Sequence, residues 1–155
     1  MKEKKIDLIT LKIVKDKEII YVPDERIGYV ADVFKLAKSL IADADREHFL
    51  VFSLGRKNEI NGIQICSIGT LSEAVVHPRE IFKYSILKNA DKIIVVHNHP
   101  SGDLYPSSHD IETTRRLSNA GNIIGIKLLD HLIINDKDFY SFAEKGLLVD
   151  GKFEV

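Results

Sequence analysis

Lys92-Ile93-Ile94-Val95-Val96-His97-Asn98-His99-Pro100-Ser101-Gly102-Asp103-Leu104-Tyr105-Pro106-Ser107-Ser108-His109-Asp110 is the stretch that decides the fold. Lys92 to His97 is a short apolar run, the pattern of a central strand. His99 to Pro106 is rich in Pro, Gly and Ser and reads as a loop. A helix is expected from about Ser107 to Ala120, stopped by Gly121 and Asn122. Beyond it, Ile123 to Ile134 gives one long or two short strands, and a short turn is expected near Phe139 to Gly146.

Upstream, His77-Pro78 opens a helix carrying Ile81, Phe82, Ile86 and Ala90 on one side, with Pro78 suited to its first turn. Glu47 to Leu54 reads as a largely buried strand, Gly55 to Asn61 as a charged turn, and Gly62 to Ile68 as the partner strand. Pro23 and Asp24 open another helix, in which Ile27, Val30, Phe34, Ala37 and Ile41 recur at three- and four-residue steps. Residues 6–22 read as a hairpin with Lys15-Asp16-Lys17 at its turn. Helices alternating with strands, one pair of them antiparallel, predict a two- or three-layer α/β domain with a mixed sheet. The expected organisation is an N-terminal hairpin extension over 1–26 and one domain over 27–155.

The bulk properties narrow the choice of function. At 155 residues, 45% apolar and 29% charged, the chain is expected to fold as one domain with a proper core. A net charge of -1 gives no general attraction to nucleic acid or acidic membranes. The six lysines against four acids in the first twenty residues read as a solvated end. One cysteine, Cys66, excludes an internal disulfide and a multi-thiolate metal site, which fits a cytoplasmic setting. No apolar window suggests a membrane span, and the start lacks the apolar core of a signal peptide.

The chemistry lies where the central strand ends. Side chains at i and i+2 of an extended segment point the same way, so His97 and His99 can present imidazoles to one point while Asn98 faces elsewhere. A helix entered at Ser107 puts Asp110 in its first turn, folded back toward the strand end. Two imidazoles and a carboxylate suit Zn²⁺ and leave a fourth tetrahedral position for water, whose pKa zinc lowers from about 15.7 to near 7. Ser107-x-x-Asp110 also reads as a helix capping box, and taken alone that reading wins. The two are compatible, because a capping carboxylate has one oxygen to spare. Of the other histidines, His48, His77 and His109 read as structural or exposed, and His131 as a candidate to support the metal ligands from behind.

The run His97-Asn98-His99-Pro100-Ser101-Gly102-Asp103, with Pro106-Ser107 and Asp110, resembles the JAMM motif of the JAB/MPN+ metalloproteases in its RadC-like form. That pattern is Glu, a variable gap, His-x-His, seven residues, Ser, two residues, Asp, and every position is filled here. Ile68-Gly69-Thr70-Leu71, Val76 to Phe82 and Leu129-Asp130-His131 also look like that family, so the similarity covers roughly 27–148. The resemblance implies a sheet flanked by helices, with zinc held by His97, His99 and Asp110. It further implies Glu47 as the acid that takes a proton from the zinc water, and Ser107 as a donor to the oxyanion. Two departures stand out. Leu104 and Tyr105 precede Pro106 where the RadC-type loop more often has a proline and a small polar residue, which alters the loop wall but no ligand. Longer members carry an N-terminal helix-hairpin-helix DNA-binding module, for which there is no room before Glu47.

The expected activity is therefore zinc-dependent hydrolysis of a peptide or isopeptide substrate. The alternative is a DNA-repair-associated accessory protein, since RadC-like proteins commonly carry that label. Near-neutral charge and the lack of an aromatic-basic platform give a nucleic-acid partner little support. A zinc nucleobase deaminase needs a pair of cysteines and is excluded. An inactive scaffold is disfavoured because no ligand is missing.

Overall fold

The computed structural model describes residues 5–20, 29–69 and 76–154. Three helices, α1 (Tyr29–Ile41), α2 (Pro78–Leu87) and α3 (Ser108–Ile124), surround a sheet of β1 (His48–Leu54), β2 (Ile60–Ile68), β3 (Lys92–Asn98), β4 (Lys127–Ile134) and β5 (Phe139–Ser141). The strand order is β2-β1-β3-β4-β5. β1 pairs antiparallel with β2 and β3, β3 runs parallel to β4, and β5 returns antiparallel, so the sheet is mixed as expected. A two-stranded ribbon, β6 (Leu148–Val149) and β7 (Lys152–Phe153), rests on α3, where Ser118 Oγ donates to Gly151 O.

Alternation along β1 and β3 divides the core in two. Leu50, Phe52, Leu54, Ile94 and Val96 pack against Val33, Leu36, Ala37 and Ile41 of α1. Phe49, Val51, Ile93 and Val95 pack against Ile81 and Phe82 of α2 and Leu117 of α3. Helices thus cover both faces, and the domain has three layers. Each large side chain fully buried here contributes roughly 1.5–3 kcal/mol, so these two clusters carry the fold.

One irregularity in β4 matters for the site. Ile93 pairs with Leu128 but Ile94 pairs with Asp130, so Leu129 has no partner in the ladder. The extra residue restores face parity three positions on. Leu128 and His131 consequently both face α2 and α3, and His131 lies beside His97.

Three expectations need correction. The N-terminal hairpin is not seen among the described residues: no strand occurs over 5–20, and Ile6, Leu8, Ile9, Leu11, Val14 and Ile20 are exposed. A lone two-stranded ribbon is marginal in water. Tyr21 and Val22, like the expected helix start from Pro23 to Ile27, lie outside the described residues. Gly121 and Asn122 do not stop α3, which runs on to Ile124 and ends at Gly125 with φ 84°. A Cβ on Gly121 would come within 2.5 Å of Ile126 O, so this glycine serves close packing, not termination. Ile123 and Ile124 are accordingly the last helical turn, and the strand begins only at Lys127. Among the described residues no helix is long and apolar enough to cross a membrane.

Candidate metal centre

β3 carries His97 to the end of the sheet, where its ring is fully buried and stacks on Phe49 with centroids 5.7 Å apart. His99 lies just beyond the strand, in a turn closed by Gly102 N–H donating to His99 O at 2.9 Å. The loop is tied to the end of β4 by Asn135 Nδ2, which donates to Gly102 O. The two imidazoles converge, with Nε2 atoms 3.0 Å apart, as the i, i+2 spacing predicts.

Asp110 arrives from the other side in the first turn of α3. Ser107 is the N-cap of a full capping box: its Oγ accepts from Asp110 N–H at 3.1 Å, and its own N–H donates to Asp110 Oδ2 at 2.7 Å. Its hydroxyl also donates to Oδ2, at 2.6 Å. Oδ2 therefore does the capping, while Oδ1 stands 3.2 Å from His97 Nε2. His99 Nε2 is 3.5 Å from Oδ2. One carboxylate serves both readings of Ser107-x-x-Asp110.

The donor chemistry of this cluster suits a cation. His99 Nδ1 lies 2.7 Å from the carbonyl of Asp103, which can only accept, so the neutral ring keeps its proton there and leaves Nε2 bare. Ligand atoms from His97, His99 and Asp110 all lie within 4.8 Å of one another and can hold a metal ion. The electrostatics agree. Burial pushes the Asp110 carboxyl up, but the adjoining His97 and His99 rings and the Ser107 hydroxyl outweigh it and hold the group far below the usual carboxylate range. The hydrogen bond to Asp110 raises the His99 imidazole, and the charge of Glu47 acts in the same direction.

Glu47, half-buried, immediately precedes β1, two residues before Phe49, whose register partner is His97. Its backbone is held on three sides. Asn98 Oδ1 accepts from His48 N–H at 2.8 Å, Asn98 Nδ2 donates to Arg46 O at 3.0 Å, and Gly69 N–H donates to Glu47 O. Asn98 does face away from the two imidazoles, but it fastens the Glu47 segment to the end of β3. Sequence reasoning missed that job. The available signal was a polar residue of opposite parity at the end of a strand buried on both faces.

Behind His97, His131 Nε2 lies 2.8 Å from His97 Nδ1, and Thr114 Oγ1 lies 2.7 Å from His131 Nδ1. Burial pushes the His131 imidazole well below its usual value, so it is neutral. Thr114 was not singled out by the sequence. His77 caps α2 by accepting from Arg79 N–H, a structural role as expected. Leu104 packs against the core, while Tyr105 stands exposed at the loop wall.

The family model described as RadC-like JAB domain matches residues 27–147. Among curated relatives, a UPF0758 protein of Desulfitobacterium hafniense (strain DSM 10664 / DCB-2) is 50% identical over 117 residues, 76% of this chain and 52% of that protein. A UPF0758 protein of Desulforamulus reducens is 52% identical over the same length, with the same coverage of both chains. One from Chlorobium chlorochromatii is 47% identical over 123 residues, 79% of this chain and 55% of its own. The chain spans about half the length of these relatives, and their names state no activity. The match across most of the chain, on a mixed sheet with His97, His99 and Asp110 gathered at the end of β3, places this protein in the RadC-like JAB domain family.

Proposed function

We propose that this domain is a zinc-dependent hydrolase of amide bonds, taking a peptide or isopeptide as substrate. The observation that carries the reading is the convergence of ligand atoms from His97, His99 and Asp110, all within 4.8 Å of one another. Two imidazoles and a carboxylate are a common donor set for catalytic zinc and leave its fourth position open. Zinc held by these three residues would supply a Lewis acid and lower the pKa of water to about 7.

The chain's own residues do the rest. Glu47, whose backbone is fixed by Asn98 and Gly69, accepts the proton of the attacking water and returns it to the leaving amine. Ser107 Oγ caps α3 through a lone pair, so its proton is separately available. That proton rests on Asp110 Oδ2, which keeps the Ser107 N–H when the hydroxyl turns to donate to the developing oxyanion. Tyr105, exposed beside this loop, offers an aromatic face to the substrate chain. The single cysteine fits the reducing cytoplasm, and burial pushes its thiol up to about 12, where it is inert.

About one zinc per chain is expected in the purified protein, with cleavage of a peptide or isopeptide library that a chelator abolishes. Failure to retain any transition metal after zinc is supplied sinks the reading. A nucleic-acid role finds no support in a net charge of -1; weak, steeply salt-dependent duplex binding is expected, and tight binding at physiological salt overturns the ranking.

A further inference from the structure

We infer that Thr114 and His131 are positioning residues that fix the tautomer of His97, so that its bare Nε2 faces the metal site. The inference rests on the metal-centre reading above, and its argument is a proton count. Thr114 sits one turn after Asp110 in α3, and its hydroxyl donates to Asp110 O at 2.6 Å. A hydroxyl has one proton. Oγ1 must therefore accept at its second contact, from His131 Nδ1–H at 2.7 Å. A neutral His131, fully buried, then has no proton on Nε2. That bare nitrogen is 2.8 Å from His97 Nδ1, so the proton between them belongs to His97. His97 Nε2 is left bare, 3.2 Å from Asp110 Oδ1 and 3.0 Å from His99 Nε2.

The reversed chain fails at its first link. If Thr114 donated to His131, then His131 Nε2–H would donate to His97 Nδ1, and His97 would point an N–H at the site. Asp110 O and Thr114 Oγ1 would then stand 2.6 Å apart with no hydrogen between them. The carbonyl of the ligand residue Asp110 thus sets the direction of the whole relay. Packing keeps the rings from turning over: His131 stacks on Phe142 with centroids 4.9 Å apart and planes 10° from parallel, and His97 stacks on Phe49 in the same way. His99 reaches the same protonation by a different route, through the Asp103 carbonyl. Both ligands thus keep their ordinary proton on Nδ1, and any further proton held among His97 Nε2, His99 Nε2 and the Asp110 carboxylate, 3.0 to 3.5 Å apart, is one that a metal would displace.

The test is a long-range ¹H–¹⁵N correlation spectrum of the metal-free protein at neutral pH, together with zinc affinity by chelator competition. The expected spectrum shows His97 and His131 both protonated on Nδ1. Thr114→Val removes both bonds of the hydroxyl. It should release the Nδ1 preference of both rings and weaken zinc roughly 10–100-fold, the usual cost of losing an outer partner. Thr114→Ser keeps the hydroxyl and should restore both readouts, which a purely structural role for the threonine does not require. A wild-type His97 protonated on Nε2, or a folded Thr114→Val with wild-type tautomers and affinity, overturns the inference. Should Thr114→Val not fold, the wild-type spectrum decides by itself. Should the wild type take up no zinc, the metal-centre reading fails, while the metal-free spectrum still settles the relay.

Discussion

The candidate site has two walls built by different means. The inner wall, from β1, β3, β4 and α3, holds His97 through side chains: Phe49 on its face and His131 and Thr114 behind it, all closed to solvent. The outer wall, from the His99–Pro106 loop and the segment before β1, holds its groups through backbone. His99 leans on Asp103 O, and Glu47 is fixed by bonds to its own and neighbouring peptides. The contrast separates two jobs. A metal has to be gripped by atoms that do not move, and substrate has to reach a proton carrier from solvent. Damage to the inner wall should therefore cost stability along with metal, and damage to the outer wall metal or turnover at little cost in stability.

The strongest test of that division is to remove each histidine. Both His97→Ala and His99→Ala should abolish zinc binding. Only the first should also lower stability, by roughly 3 kcal/mol, since it opens a cavity and strips the buried His131 Nε2 of its partner. His99, whose side chain is 16% exposed, borders solvent and leaves a smaller void. Metal analysis beside thermal melts reads the difference, and equal melting points for the two variants would erase the distinction between the walls.

Next in size is Glu47→Gln. The amide nearly copies the carboxylate in shape but cannot take a proton, so zinc should stay while kcat falls roughly 10²–10⁴-fold. Full activity in this variant removes Glu47 from proton transfer. Ser107 joins the walls, because it caps the helix that carries Asp110. Ser107→Ala should cost about 1 kcal/mol as a lost cap and lower kcat roughly 10²–10³-fold as a lost oxyanion donor. Ser107→Asp caps well but sets a negative charge beside the oxyanion, and should fold yet be nearly inactive. A Ser107→Ala protein that melts lower and turns over normally would leave Ser107 as a cap alone.

The two walls were not equally legible in the sequence. His97, His99 and Asp110 follow from local rules, strand alternation and a helix first turn, and the structure brings all three together. Ser107 and Glu47 depended on resemblance, since a capping serine and an acid at a strand end are ordinary by themselves. Thr114 was invisible because its role depends on a tertiary neighbour from β4, brought into reach by the unpaired Leu129. The mixed sheet was readable from apolar runs that are buried on both faces. The same signal misled at the N-terminus, where Leu8 to Val14 has the composition of a strand but is exposed and in no ladder among the described residues. Gly121 misled for the opposite reason: a residue that often ends helices was needed for close contact with Ile126 and Phe82.

A pH profile, which touches neither metal nor turnover, sharpens the inner wall. Asp130 is fully buried beside His131, its Oδ1 accepting from the N–H groups of His131 and Ala143 and its Oδ2 from the Ser141 hydroxyl. Burial pushes its carboxyl up to about 6, against those three donors. In the unfolded chain an aspartate holds its proton only to about pH 3.9. Between these values the native state binds more protons than the unfolded one, so stability falls as pH rises from about 4 through about 6. Integrated over that window the loss is roughly 3 kcal/mol. Asp130→Asn can keep Oδ1 as the acceptor for both N–H groups and does not ionise, so it should flatten this part of the profile. Denaturant melts of both proteins at pH 4, 5, 6 and 7 make the comparison. Parallel profiles would mean that Asp130 is ionised in the fold, and that the inner wall holds a buried charge rather than a proton.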